Sequence, residues 1–181
     1  FHNMLKPGAG VGGHCIPKDP WLLASSVKKQ KMKLIKTSRN INDQMPGHIL
    51  KIVKSALKSS GKDIKDSRLA ILGFSFVENS DDARNSPTKS LTKILEKEKI
   101  RFKVHDPLIN SSLTQPLDDV LRDADCLILM VAHNFYNKLD LKKTSALMAK
   151  KIIVDGRNFF DRNKVKSYGF KYYGIGNVIS S

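Results

Sequence analysis

The sequence of 181 residues contains no apolar run of the roughly 18 residues that a membrane-spanning helix needs, so we expect no membrane span. It contains only two cysteines, Cys15 and Cys126, which lie far apart in the sequence. A disulfide framework is therefore excluded, and free thiols in a reducing compartment, the cytoplasm, are expected. Neither a starting methionine nor a basic-then-apolar leader is present at Phe1. We therefore predict no signal peptide and expect the chain to begin within a longer protein.

Acidic residues are also scarce, since 17 Asp and Glu stand against 32 Lys and Arg and leave a net charge of +15. One interpretation is nucleic-acid binding, because basic faces release counterions from phosphate backbones. The lysines are spread along the chain, however, and are not interleaved with aromatic residues. We therefore predict no specific nucleic-acid partner and favour a solvated lysine-rich surface that attracts anionic nucleotide substrates.

Four glycines within six residues form what we call the glycine segment, residues 8–13. Their spacing includes G-x-G-x-x-G, the pattern of a dinucleotide-binding turn, which must follow a buried strand and open a helix. The preceding residues, 1–7, are mixed in character, and Pro17 and Pro20 disfavour helical geometry in the residue before each of them. The sequence therefore argues against a dinucleotide-binding turn here.

Chemically reactive residues follow the glycine segment directly. Cys15 is followed by Lys18 and Asp19. A lysine can favour the thiolate, and a carboxylate can orient a water molecule or accept a proton, which covalent catalysis at a carbonyl carbon requires. The alternative is a purely structural glycine loop with a buried, inert cysteine.

Two helices are predicted before residue 65. A short one covers residues 21–27, with Pro20 in its first turn. A longer one covers residues 37–60, capped by Thr37 or Ser38, starting or kinked at Pro46, and stopped by Gly61. Its apolar residues recur at helical spacing, and this face can bury against the same chain or against a partner.

Beyond residue 65, apolar runs alternate with helical patterns, which predicts a doubly wound parallel sheet and an α/β fold. The predicted strands are residues 69–72, 101–105, 126–131, 151–154 and 170–174, with the third central. The predicted helices between them are residues 86–97, 117–122 and 141–149. The carboxyl ends of parallel strands share one edge, where ligands bind.

Two arginines follow strands at this edge and are candidate phosphate ligands, because a guanidinium can bind a phosphate in a bidentate manner. Arg84 can instead pair with Asp81 or Asp82, and Arg157 with Asp155 or Asp161. Three histidines, His14, His105 and His133, end different elements without metal-ligand spacing, so no metal is expected.

The segment G-V-G-G-H-C-I-P-K-D-P-W at residues 10–21 resembles the catalytic loop of the UDP-glucose/GDP-mannose dehydrogenase family, whose motif reads G-x-G-G-x-C-x-P-K-D. It is most similar to the branch that acts on UDP-N-acetylhexosamines. Two further matches are D-A-R-N-S-P at residues 82–87 and V-D-G-R-N at residues 154–158. Val77 departs from the family pattern, since a lysine usually follows Phe76.

The resemblance implies that residues 1–64 hold the catalytic cysteine loop and part of a central helical dimerisation domain, and that residues 65–181 form a Rossmann-like UDP-sugar-binding domain. It implies a homodimer through the helix at residues 37–60. It also implies NAD-dependent oxidation of a UDP-sugar at C6 to a uronic acid, through a thiohemiacetal and a thioester on the cysteine. The implied site comprises catalytic Cys15 and Asp19, cofactor-binding Lys18 and Arg84, and substrate-binding Gly10, Gly12, Gly13, Phe74, Phe76 and Arg157.

The resemblance covers only the C-terminal half of a family member. The N-terminal NAD-binding domain lies outside this sequence, so we expect the chain alone to be inactive. A non-catalytic nucleotide-binding module is the alternative function, although such a module has no need of the cysteine, lysine and aspartate set.

Overall fold

A computed structural model describes residues 7–26 and 32–176. Five parallel strands form one sheet in the order β2-β1-β3-β4-β5. The strands are β1 (Arg68–Leu72), β2 (Arg101–His105), β3 (Cys126–Leu129), β4 (Ile152–Asp155) and β5 (Lys171–Gly174). Apolar side chains on both faces of β3 suit a strand covered by helices on either side. The predicted parallel α/β sheet with a central third strand is confirmed.

Six α-helices lie within the described residues. They are α1 (Cys15–Ser26), α2 (Lys33–Lys58), α3 (Pro87–Lys97), α4 (Leu117–Leu121), α5 (Leu141–Leu147) and α6 (Arg162–Ser167). Helices α2 and α3 bury their apolar residues on one face of the sheet, and α4, α5 and α6 on the other. Each predicted strand and helix beyond residue 65 is present to within two residues at either end, and α6 is a helix that the pattern did not indicate.

The prediction for α1 was wrong at its start. The helix begins at Cys15 and not near Trp21, and it contains Pro17 and Pro20. Pro17 is the third helical residue, where the backbone N–H has no partner within a helix in any case. Pro20 removes one hydrogen bond, which the helix tolerates. Residue 27, the predicted end, lies outside the described residues.

Helix α2 begins at Lys33, four residues before the predicted cap at Thr37, and continues through Pro46. It ends as predicted, because Gly61 adopts a φ of +72° and its N–H closes a turn onto the Lys58 carbonyl. Four apolar residues of its C-terminal half are fully buried against the chain's own sheet: Ile49, Val53, Ala56 and Leu57. A partner can therefore reach α2 only through its remaining surface.

The segments on either side of the predicted boundary at residue 64 share one core. An ion pair fastens the end of α2 to the sheet, since Lys62 Nζ donates to both oxygens of Asp125 at 2.7 and 2.8 Å. Asp125 is 1% exposed and also accepts from the Arg68 amide. Within residues 7–26 and 32–176, no helix combines the length and apolarity needed to cross a bilayer.

Candidate active site

The glycine segment lies directly against the loop that follows β1. A Cβ atom added at Gly12 would stand 2.3 Å from the Asn85 carbonyl oxygen, and one at Gly13 would stand 2.9 Å from the Phe76 ring. The Gly13 N–H donates to the Arg84 carbonyl at 2.9 Å, and Asn85 Nδ2 donates to the Gly13 carbonyl at 2.9 Å. Glycine is required here because the two backbones approach too closely for any larger residue.

Helix α2 holds the same segment from the other side. The Asn42 side chain accepts from the Val11 N–H at 2.8 Å and donates to the Val11 carbonyl at 3.1 Å. Gly10, between these contacts and Pro87, adopts a φ of +114° that only glycine takes without strain. The sequence did not indicate Asn42 as a site residue. The sequence feature that could have identified Asn42 is a polar residue on the inward side of an amphipathic helix.

The early start of α1 changes how the reactive residues are presented. Lys18 and Asp19 lie three and four positions after Cys15, so the three side chains share one helix face. All three are exposed, and Lys18 Nζ lies 3.6 Å from Asp19 Oδ1. Cys15 stands in the first turn, where the helix dipole favours negative charge. His14 Nδ1 lies 3.8 Å from the Cys15 sulfur, which makes it a polar neighbour that sequence reasoning missed.

Arg84 lies near the cysteine but already has an acidic partner. Its Nε donates to Asp82 Oδ2 at 2.8 Å, which is one of the alternatives left open by the sequence. Hydrogen bonding to Asp82, together with the charge of that carboxylate, raises the pKa of Arg84. Its guanidinium is exposed, and the Arg84 carbonyl accepts from the Gly13 N–H two residues before Cys15, so the side chain can still face a ligand.

Arg157 is half-buried, and its guanidinium bonds to backbone carbonyls and not to Asp155 or Asp161, although the Arg157 N–H donates to Asp155 Oδ1 at 2.9 Å. Its Nε donates to the Met130 carbonyl at 2.8 Å, and Nη2 donates to the Gly10 carbonyl at 3.0 Å. Burial lowers the pKa of Arg157, while Glu78 and Asp155 oppose that shift. Arg157 therefore links the end of β3 to the glycine segment and brings a cation to their junction.

The Phe74 side chain is not placed to contact a ligand. Its side chain is 4% exposed and packs in the core. Its N–H donates to Asp106 Oδ2 at 2.6 Å, and the Ser75 N–H donates to the same oxygen at 3.1 Å. Of the two predicted phenylalanines, Phe76 is the one that reaches the glycine segment.

Asp106 holds the start of this loop, and it is buried. Its other oxygen accepts from the N–H groups of Leu108 and Ile109. His133 Nε2 lies 3.1 Å from Oδ2, and it is the protonated nitrogen because Nδ1 accepts from the Asn79 N–H. Burial alone would raise the pKa of Asp106, but the hydrogen bonds from His133 and these amides lower it to about 2.

The structure thus brings together Gly10, Gly12, Gly13, Phe76, Arg84 and Arg157, with Cys15 on the adjoining helix turn. A cavity of about 780 Å³ lies elsewhere and is lined by none of these residues. We take this cluster, and not the cavity, as the candidate active site, because it combines an exposed thiol with two guanidinium groups. Among the described residues, no three His, Cys, Asp or Glu side chains form a metal-binding group.

Comparison with known proteins gives matches to two domains of one family. Residues 70–162 match the model of the UDP binding domain of the UDP-glucose/GDP-mannose dehydrogenase family, and residues 1–44 match that of the family's central domain. UDP-N-acetyl-D-mannosamine dehydrogenase of Methanocaldococcus jannaschii is 35% identical over 180 residues, which cover 97% of this chain and 40% of that protein. The chain spans about two fifths of the length of the curated relatives it matches.

Two solved structures share the fold at a similar level of identity. The UDP-D-ManNAc dehydrogenase of Pyrococcus horikoshii superposes with a TM-score of 0.87 at 32% identity, covering 97% of this chain and 41% of that one. The NDP-N-acetyl-D-galactosaminuronic acid dehydrogenase of Methanosarcina mazei superposes with a TM-score of 0.88 at 32% identity, covering 96% and 40%.

The Asp106 network predicts a specific loss of stability in acid. A carboxyl whose pKa falls from 3.8 to about 2 on folding stabilises the protein above pH 4, by roughly 2 kcal/mol, because the unfolded chain binds the proton first as the pH falls. This contribution is lost between about pH 4 and pH 2. Asp106→Asn should therefore be less stable than the parent at pH 7, with the difference in free energy of unfolding shrinking towards pH 2.

Denaturant titrations of the parent and of Asp106→Asn across this range measure the effect, with Glu98→Gln, on an exposed ion pair, as the control. A difference between parent and Asp106→Asn that stayed constant from pH 7 to pH 2 would contradict the assigned network.

The two cysteines should react with very different rates. Cys15 is exposed, whereas Cys126 is 0% exposed in β3 and burial raises the pKa of its thiol. Reaction at Cys126 needs opening of the core, which is rare when global stability is about 5 kcal/mol or more. Iodoacetamide should label Cys15 faster by on the order of a thousandfold, as peptide mass spectrometry would measure. Comparable rates at the two thiols would show that α1 does not present Cys15 to solvent.

Proposed function

The chain belongs to the UDP-glucose/GDP-mannose dehydrogenase family, and we propose that it is the C-terminal part of an NAD-dependent UDP-sugar 6-dehydrogenase. The substrate that we propose is a UDP-N-acetylhexosamine, because relatives named for UDP-N-acetyl-D-mannosamine and for an N-acetyl-D-galactosaminuronic acid match it over nearly its whole length. The product is the uronic acid, a building block for polysaccharides or glycoconjugates.

The observation that carries this proposal is the close packing of the glycine segment against the loop that contains Phe76 and Asn85. That contact joins a nucleophile on α1 to a sheet edge that carries Arg157. A nucleotide bound at the edge would place its sugar towards Cys15. The alternative of an inert structural cysteine is disfavoured, because Cys15 is exposed and shares its helix face with a lysine and a carboxylate.

The diphosphate and uridine would be held by the sheet edge and the glycine segment. Arg157 supplies a partly desolvated guanidinium, and its contacts with the Gly10 and Met130 carbonyls fix its direction. Phe76 supplies an apolar wall beside Gly13. Val77, where the family usually has lysine, contributes no charge, so the proposed site relies on Arg157 for phosphate binding more than the family pattern does.

Cys15 would act at the C6 carbon. Two molecules of NAD, bound in turn, would each accept one of the two hydrides that are removed between the alcohol and the acid. The Cys15 sulfur adds to the C6 aldehyde and forms a thiohemiacetal, and after the second oxidation it holds the carbon as a thioester. Water then cleaves the carbon–sulfur bond, giving the carboxylate and the free thiol. Asp19 would orient that water and take its proton, and Lys18 would favour the thiolate.

On the cofactor side, the described residues fit NAD only in part. Arg84 and Lys18 present exposed cations near Cys15 and would contact the cofactor's phosphates. Within the described part of the chain, no strand leads into a glycine turn and helix that would hold the pyrophosphate. The proposal therefore assigns most of the cofactor site to another part of the protein and expects no turnover from this chain alone.

Dimerisation belongs to the same proposal. The apolar C-terminal half of α2 is occupied by the chain's own sheet. Large apolar side chains remain exposed on α1 and on the first half of α2, namely Ile16, Trp21, Leu22, Leu23, Leu34 and Ile41. A homodimer through the proposed helical segment would bury these residues.

Both free thiols suit the cytoplasm, a reducing compartment.

Replacing Arg157 tests the nucleotide site. Arg157→Ala should weaken UDP binding about 10- to 100-fold, because a charge-assisted hydrogen bond contributes about 1.5–3 kcal/mol. Isothermal calorimetry with UDP measures the change. Arg101→Ala is the matched control, since Arg101 is exposed at the opposite end of the sheet and should leave the affinity unchanged.

Thermal unfolding of both variants establishes that the fold is kept. Equal UDP affinity for the parent and Arg157→Ala would reassign Arg157 to a structural link between Gly10 and Met130, and the proposed nucleotide site would be wrong.

A further inference from the structure

The cavity of about 780 Å³ lies at the carboxyl ends of β1, β2 and β3, away from the proposed active site. The chain leaves β1 for β2 on one side and returns to β3 on the other, so this is the point where the strand order reverses. Open parallel sheets bind ligands in the crevice at that point. The volume is ample for a small ligand, yet none of the residues proposed to bind the UDP-sugar lines it.

Apart from Asp106, the cavity is lined by apolar and neutral polar residues, among them the aromatic ring of Phe135. Phe135 is 49% exposed, and its ring lies 5.5 Å from that of His105 with an interplanar angle of 35°. The side chains of Asn110 and Gln115 also line the cavity and are exposed. Among the described residues that line it, none is lysine or arginine, so a phosphate or carboxylate would find no counter-charge.

The charged group at the cavity is not available to a ligand. Both oxygens of Asp106 are occupied by the N–H groups of residues 74, 75, 108 and 109 and by His133 Nε2. The Asp106 carboxylate therefore binds backbone N–H groups of the protein itself and is not free to bind a cationic ligand. The cavity thus offers a partner charge neither to a cation nor to an anion.

His105 offers one acceptor. The Tyr136 hydroxyl donates to the His105 carbonyl at 3.1 Å, so it accepts from His105 Nδ1–H at 3.0 Å. Burial lowers the pKa of His105, so the ring is neutral at pH 7 and Nε2 carries a lone pair. Among the described residues, Nε2 has no hydrogen-bond partner, and His105 is part of the cavity lining.

We propose that this cavity is a second ligand site, for an uncharged nucleoside-sized molecule whose planar heterocycle stacks on Phe135 and donates an N–H to His105 Nε2. Aromatic stacking tolerates different bases because each has a π-face. Hydroxyl groups of the attached sugar would bind the amides of Asn110 and Gln115. A dinucleotide does not fit this chemistry, since the cavity has no cation for a pyrophosphate.

Binding of adenosine and uridine to the chain tests the proposal, with calorimetry for affinity and the nitrogen-15 spectrum of the His105 imidazole for location. At least one nucleoside should bind and shift the His105 Nε2 signal. Phe135→Ala should weaken that binding about five- to hundredfold. Tyr168→Ala, which removes another exposed aromatic ring, is the matched control and should change nothing.

Two further binding measurements distinguish this site from the proposed nucleotide site. Arg157→Ala should leave nucleoside binding unchanged, and in that variant, whose proposed UDP site is weakened, the nucleoside should bind as tightly as its 5′-monophosphate or more tightly. Loss of UDP binding in Arg157→Ala with retained nucleoside binding would support both sites. No binding of either nucleoside at millimolar concentration would overturn the proposal, as would an affinity insensitive to Phe135→Ala or, in Arg157→Ala, a strong preference for the monophosphate.

Discussion

The close approach of the glycine segment to the loop at residues 76–85 is the constraint on which the site depends. At Gly12 there is no room for a Cβ atom, because the Asn85 carbonyl would lie 2.3 Å from it. Polar side chains fix the backbone in this position from three sides: Asn85 from the loop, Asn42 from α2 and Arg157 from the end of β4. Each is bonded to a backbone group of residues 10–13, so the segment has little freedom to shift.

This contact between the glycine segment and the loop determines where the proposed site residues lie. Helix α1 starts two residues after Gly13, so its first turn carries Cys15 to the carboxyl edge of the sheet. Phe76 and Arg84 come from the loop that the segment touches, and Arg157 reaches the segment from beneath. Asp106 supports the same loop from its other end through the amides of residues 74 and 75. The proposed nucleophile and nucleotide site are thus parts of one packed arrangement.

Sequence patterns predicted the sheet well because its buried strands are short apolar runs, of which β3 is the clearest. They failed for α1 because proline was treated as a barrier, whereas Pro17 falls where a helix needs no N–H donor. They could not separate Phe74 from Phe76, since only packing decides which ring enters the core. The backbone contacts of Arg157 and Asn42 also escaped prediction, because they join residues distant in sequence.

The most direct test compares UDP affinity in two glycine variants of the chain. Gly12→Ala places a methyl group against Asn85 and Phe76, whereas Gly47→Ala, inside α2, meets nothing within 4 Å. If the seating of the glycine segment builds the nucleotide site, Gly12→Ala should weaken UDP binding at least tenfold, about 1.4 kcal/mol, while Gly47→Ala binds like the parent. Parent-like UDP affinity in a folded Gly12→Ala variant would contradict the account.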